Sequence, residues 1–257
     1  MHTDEYRRMF ELEDRYWWFV ARRRLALGLL RKALAAKGTC PATGFSTLQP
    51  APPLVLDLGC GTGVVLRELR EWALPVGLDM SPVALEFCRR RSLDDLVVAK
   101  GERLPIGDGR FDAVVALDIL EHIPDDAAAF REICRVLKPG GVLVLSVPAF
   151  RTLWGPHDVA LMHQRRYRAG EIASRLSGAG FHLERISYSI FFLFPVVLVV
   201  RVLEKLKRGE PEASLPAVPR WFNAVLVRLQ DFEAALIRRF RLPWGSSVVA
   251  VARRPEA

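Results

Sequence analysis

The sequence predicts an α/β protein built on a mostly parallel sheet with helices on both faces. Three observations carry that prediction. Short Val/Leu-rich runs alternate with helix-like stretches from Leu54 to Val147. The runs are nearly continuous in apolar residues, as strands buried on both faces are. The first run leads directly into a glycine-rich turn, VLDLGCGTG at Val55–Gly63, and open parallel sheets bind ligands beyond the carboxyl ends of their strands.

The runs read as strands are Leu54–Leu58, Pro75–Leu78, Leu96–Ala99, Phe111–Leu117 and Val142–Val147. The stretches between them, Val64–Trp72, Pro82–Arg91 and Asp125–Leu137, have helical character. Ser81-Pro82 supplies an N-cap followed by a proline in the first turn. Lys138-Pro139-Gly140-Gly141 is a helix stop. A helix at Ala169–Ala179, a strand at His182–Ser189 and a last strand at Ser246–Val251 follow. Roughly fifty residues separate the last two strands, far more than a hairpin needs. They hold an apolar run (Ile190–Leu203), a charged, proline-rich break (Lys205–Pro219) and a helix at Arg220–Phe240. An inserted helical pair at about 190–242 is the reading. At the other end, residues 4–37 read as one helix within an N-terminal cap (1–38). An uncharged, proline-rich linker (39–53) joins it to a main domain covering 54–257.

Composition narrows the function classes. The chain has 257 residues, 51% hydrophobic and 26% charged, which excludes disordered, collagenous and coiled-coil classes. Four cysteines without ligand spacing exclude a disulfide scaffold and imply no metal site and a reducing, cytoplasmic setting. The charged N-terminus lacks an apolar core, so no signal peptide is expected. The net charge is +8, carried by both ends of the chain around a near-neutral middle. Basic ends suit nucleic acid, an anionic membrane surface or solubility alone.

Four motifs carry the chemistry. The three glycines Gly59, Gly61 and Gly63 of the first turn have G-x-G-x-G spacing, not the dinucleotide G-x-G-x-x-G. Asp79, at the end of VGLDMSP, places a carboxylate where a ribose would lie. RFDAVVALDILEHIPD, Arg110–Asp125, puts Asp118, Glu121 and His122 past the fourth strand, and RVLKPGGVLVLSVP, Arg135–Pro148, forms the fifth. With these motifs in this order over about residues 54–150, the chain resembles the class I S-adenosylmethionine-dependent methyltransferases of the broad small-molecule type.

The resemblance implies a Rossmann-like, seven-stranded sheet whose last strand is antiparallel, and S-adenosylmethionine as cofactor. It places Asp57, Gly59, Cys60, Gly61 and Gly63 around the methionine part, Asp79 on the ribose and Met80 near the adenine. It puts Asp118 and the backbone near Leu117 at the amino-acid end. One position departs: AKGERLP has Lys100 where the family often has an acid, which leaves Gly101 and Glu102 as adenine contacts. The cofactor has no phosphate, and the chain has no phosphate-binding G-x-x-x-x-G-K-[ST] loop.

Methyl transfer needs a base only when the nucleophile arrives protonated. The candidate bases are His122, beside Glu121, and His157 and His163 in WGPHDVALMHQRRYRAGE. Arg166 and Tyr167 of that segment, with Trp18 of RYWWFVARRR, are expected at the acceptor. The helix carrying Trp18 reads either as a lid over the cofactor or as a docked amphipathic helix. The expected acceptor is a small or lipid-like molecule, with O-methylation favoured by the histidines. The rival readings are a nucleic-acid methyltransferase and a non-catalytic cofactor-binding protein. The near-neutral middle and the absence of an Asn/Asp-Pro-Pro-aromatic motif speak against nucleic acid. The helical pair is too short to span a bilayer. It is read as a membrane-surface contact, a homodimer contact or a cap on the acceptor pocket.

Overall fold

The computed structural model describes residues 3–36, 51–206 and 217–256. Most of the linker and of the charged break in the insert lies outside them. The elements are α1 (Thr3–Leu12), α2 (Trp17–Ala35), β1 (Leu54–Leu58), α3 (Val64–Leu69), β2 (Leu74–Asp79), α4 (Pro82–Arg90), β3 (Leu96–Val98) and β4 (Phe111–Leu117). Then come α5 (Asp126–Val136), β5 (Leu137–Pro148), α6 (Pro156–Ala160), α7 (Ala169–Gly178), β6 (His182–Ser189), α8 (Phe194–Leu206), α9 (Arg220–Ile237) and β7 (Ser247–Arg253). The strands form one seven-stranded sheet in the order β3-β2-β1-β4-β5-β7-β6. β7 runs antiparallel to both of its neighbours, and the other pairings are parallel.

Strand alternation divides the core in two. Leu56, Leu58, Val114, Ala116, Leu143 and Leu145 face one side, where Phe130 and Ile133 of α5 and Ile172 and Leu176 of α7 cover them. Val55, Ala113, Val115, Val142 and Val144 face the other, against Leu25, Leu29, Leu30 and Leu34 of α2 and Ile237 of α9. This two-sided burial explains the unbroken apolar runs in the sequence.

The predicted starts of α4 and α5 hold. Ser81 Oγ accepts a bond from the Ala84 amide, with Pro82 opening the helix, and Asp125 caps α5 through the Ala128 amide at 2.9 Å. Two expectations are corrected. The 4–37 stretch is two helices with a turn at Glu13–Tyr16. Glu13 is buried there, its carboxylate bonded to the Thr62 hydroxyl and to Arg91, and its carbonyl accepts from Arg23. These long-range bonds turn the chain where periodicity alone would continue it. The segment Leu137–Gly141, read as helix end and stop, already belongs to β5. Leu137 pairs with Phe111 ahead of a register shift, and Gly140 at φ +69° donates its amide to Arg254.

The helices between β6 and β7 go to different places. α9 packs on α2 and β6, whereas α8 lies against the turn at Arg151–Leu153. The chain enters α8 over Glu233, a buried residue of α9. Its carboxylate accepts the amides of Phe191 and Phe192 at 2.8 and 3.2 Å, and that of Ile190 as well.

Phe130 is fully buried between α5 and the sheet, so Phe130→Ala should lower the urea-unfolding free energy by about 3–5 kcal/mol. Val196→Ala on exposed α8 should change it by less than about 0.5 kcal/mol.

Candidate active site

The carboxyl ends of β1, β2 and β4 bring together residues far apart in sequence. Past β1 the chain turns through Gly59 and Gly61, at φ +74° and +54°, a region open to glycine at low cost. A Cβ at Gly61 would meet Met9 Cε at 2.8 Å, so the turn and α1 are in close contact. The Gly61 amide donates to Asp79 Oδ2 at 3.0 Å and the Ser81 amide to Asp79 Oδ1 at 2.8 Å. Two backbone donors thus fix the carboxylate at the end of β2, and its remaining lone pairs are free for a diol. Tyr6 and Met9 of α1 lie over Asp79 and the turn. It is therefore α1, not the tryptophan-bearing α2, that covers this crevice. Met80, expected near the adenine, follows Asp79 and is 64% exposed. Gly101 packs so closely that a Cβ would meet Ile123 Cδ1 at 2.5 Å. Glu102 is half-buried beside it.

Charge is concentrated at the strand ends. Asp57 is buried and its Oδ2 has no partner. Burial pushes its carboxyl up to about 8; Arg22 opposes the rise, and Asp79 and Glu13 add to it. Asp118 ends β4 at φ +53°. It bonds Arg22 and accepts from Ser146 Oγ at 3.2 Å. Glu121 is fully buried and neither carboxylate oxygen has a partner. Burial, reinforced by Asp118, holds its carboxyl well above the usual range, while Arg22 and Arg166 act the other way. Arg22 stacks on Trp18, 4.5 Å from the ring centre, and its Nε is buried without a partner. Trp18 and Arg22 also line a closed cavity of about 20 Å³ with Ser146, Ser189, Ser247 and Gln230.

The histidines separate. His163 Nδ1 lies 2.9 Å from Asp158 Oδ1, its Nε2 lies 3.9 Å from Glu121 Oε1, and its ring meets that of His122 edge-on at 4.7 Å. Burial works to raise the Asp158 carboxyl, but hydrogen bonds from His163 and Arg166 hold it far below the usual range. His157 lies on α6 and feels His163, Asp158 and Arg201. Burial, and then Arg201, push it down to about 4. Burial and the neighbouring His163 likewise push His122 down to about 4. Glu121, His122 and His163 bring their ligand-type atoms within 4.8 Å of one another. Such a mixed nitrogen and oxygen set suits a divalent cation, and cysteine spacing gave no hint of it.

Arg166 and Tyr167, expected to hold the acceptor, have protein partners instead. Arg166 grips Asp158 with Nε and Nη2 at 2.8 and 3.0 Å and donates Nη1 to the Ala149 carbonyl. The Tyr167 hydroxyl donates to Asp126 at 2.9 Å and lies 3.2 Å from the Leu120 carbonyl. Sequence reasoning missed Tyr6, Met9 and Glu13, because no motif marks a covering helix. The lid reading placed an arginine of RYWWFVARRR near the cofactor carboxylate without singling out Arg22.

Comparisons with known proteins agree with this architecture. The family model described as a methyltransferase domain matches residues 56–145. A ubiquinone biosynthesis O-methyltransferase of Xanthomonas axonopodis pv. citri is 32% identical over 164 residues, 56% of this chain and 69% of that protein. A demethylmenaquinone methyltransferase of Corynebacterium kroppenstedtii is 41% identical over 115 residues, 42% of this chain and 50% of that protein. The chain thus spans half to about two-thirds of these relatives. An S-adenosylmethionine-dependent methyltransferase structure from Thermotoga maritima superposes with a TM-score of 0.56. The match is at 18% identity and covers 98% of this chain and 95% of that one, a likeness of fold. Strand order, glycine turn, strand-end carboxylates and sequence kinship together make this chain a member of the class I S-adenosylmethionine-dependent methyltransferases.

Proposed function

We propose that this enzyme methylates a hydroxyl oxygen of a small, quinone-type acceptor, with the cofactor on the Asp57–Gly63 turn and Asp79. The observation that carries the reading is the excess of buried carboxylates over cations at the strand ends. The buried Asp57 and Glu121 and the half-buried Asp118 share Arg22, with Arg166 also acting on Glu121, and Asp57 Oδ2 and both Glu121 oxygens have no hydrogen-bond partner. Buried, unpaired carboxylates are costly, and a cationic ligand relieves that cost. When bound, the cofactor supplies a methyl group on a positively charged sulfonium and a cationic ammonium. Asp57 is the residue placed to hold that charge, and Asp79 to accept ribose hydroxyls. The quinone-type acceptor is suggested by the names of the two relatives.

On the acceptor side, a hydroxyl must lose its proton as its oxygen attacks the methyl carbon. The carbon–sulfur bond breaks and the thioether leaves neutral, so no acid is required. His163 is the proposed base. Asp158 accepts at Nδ1 and so directs the free Nε2 toward Glu121 and the acceptor space. Arg166 and the Gly155 amide (2.9 Å) hold Asp158 in turn. Glu121 with His122 and His163 as a cation site is the second reading, favoured by their 4.8 Å cluster.

The reading is tested by incubating the enzyme with methyl-labelled cofactor and a panel of hydroquinones and catechols. O-methylated product is expected. His163→Ala should lower kcat about 10²–10⁴-fold with cofactor affinity unchanged in calorimetry. Full activity would remove the base role, and loss of activity in EDTA restored by a divalent cation would favour the second reading.

Asp79→Asn should weaken cofactor binding about tenfold or more, the scale of a lost hydrogen bond to a charged group.

The Asp57 carboxyl keeps its proton up to about pH 8 in the folded protein, but ionises near 4 when unfolded. The stability it contributes is present below that range and is lost as pH rises through 8. A cationic ligand favours the ionised form, so cofactor affinity should rise by up to about tenfold per pH unit between pH 6 and 8. Asp57→Asn should flatten that profile.

A further inference from the structure

The outer surface of the insert is apolar where a water-facing surface is usually polar. Val196, Leu198, Val199, Val200, Val202 and Leu203 are all exposed on α8. They occur on more than one side of the helix, so a single packed stripe does not account for them. Trp221, Phe222 and Val225, at the start of α9, are exposed too, Trp221 by 71%. Aromatic contacts join these surfaces: Phe192 to Phe232 on α9 at 5.9 Å, and Phe191 to Trp244, ahead of β7, at 5.1 Å. Exposed apolar area of this extent marks an interaction site.

Its position is tied to the active site. The start of α8 packs Phe194 on Phe150 at 5.9 Å, and a Cβ at Gly155 would meet Arg201 Cδ at 3.9 Å. Both partners belong to the segment that delivers Asp158 and His163. At the start of α9, Asn223 accepts the Trp17 amide and donates to the Arg15 carbonyl, both at 2.8 Å. The apolar surface therefore surrounds the segments that border the site.

Charge selects the occupant. Arg220, Arg228, Arg238, Arg239 and Arg241 are exposed along α9 and its exit. Among the described residues of that stretch the exposed acid is Asp231, which Arg24 already pairs at 2.7 Å. A two-fold contact with a second copy would set arginines against arginines, because each partner presents the same patch. A bilayer with anionic headgroups meets both the apolar side chains and the cations. The 13 residues of α8 reach about 20 Å at 1.5 Å each, short of the ~30 Å hydrocarbon core. No helix among the described residues is long and apolar enough to cross a membrane. We propose that the α8 surface and the start of α9 dock this enzyme on an anionic lipid bilayer, lying in its interface, with the His163 segment facing the lipid.

The test uses the full chain and needs no turnover, so it stands apart from the acceptor assignment. Co-sedimentation is measured with vesicles of phosphatidylglycerol and phosphatidylcholine, and with phosphatidylcholine alone. Binding to the anionic vesicles is expected, falling at least tenfold as salt rises from 50 to 500 mM. The triple variant V196E/V199E/W221E should reduce it at least tenfold while keeping the wild-type melting temperature. No binding to anionic vesicles at low salt, or binding that the triple variant leaves unchanged, would overturn the proposal. So would a wild-type dimer, seen by light scattering, that the same substitutions dissociate.

Discussion

One guanidinium holds the active-site end of the sheet together. Arg22 reaches from α2 to Asp118 and also acts on Asp57 and Glu121. Burial raises the carboxyls of Asp57 and Glu121, and the opposing charge of Arg22 does not cancel the rise at either. The same imbalance suits the strand ends to a positively charged ligand. Helix α2 carries Arg22 on a rigid element, because Leu25, Leu29, Leu30 and Leu34 of the same helix are buried against the sheet.

Two other contacts keep this arrangement in register. Glu13 turns the chain between α1 and α2 by binding Thr62 and Arg91, which lays α1 over the glycine turn. The contacts of α1 there, Tyr6 and Phe10 against Ala84 and Phe87, form a small cluster apart from the main cores. On the acceptor side, Arg166 and Asp158 form a buried, bidentate pair. It fixes the His163 ring by hydrogen bond, and with the bond to the Ala149 carbonyl it engages all three nitrogens of the guanidinium. Arg166 thus holds Asp158, whereas Arg165 and Tyr167 tie the same segment to Asp126.

Much of the fold was legible because its signals are local. β1 and β4 follow from apolar runs bounded by turn residues, and α4 from its Ser81-Pro82 cap. The seven-stranded sheet and the antiparallel β7 came with the family resemblance, and the strand order came from the structure, since periodicity within a strand says nothing about its neighbours. The break at Glu13 and the early start of β5 were not legible. In both, partners about 50 residues away or more, Thr62 and Arg91 in one case and Arg254 in the other, override the local preference.

The sequence by itself determined the alternation of strands and helices, the glycine turn and the carboxylate that closes β2. Each depends on residues adjacent in the chain, or on backbone geometry that glycine permits. Tertiary structure alone decided which charges meet: Arg22 with Asp118, His163 with Glu121 and His122, and Asp158 with Arg166. Those pairings depend on distance and burial in the folded chain. A side chain's charge state is set by the neighbours that packing brings to it, and its neighbours in sequence do not reveal them.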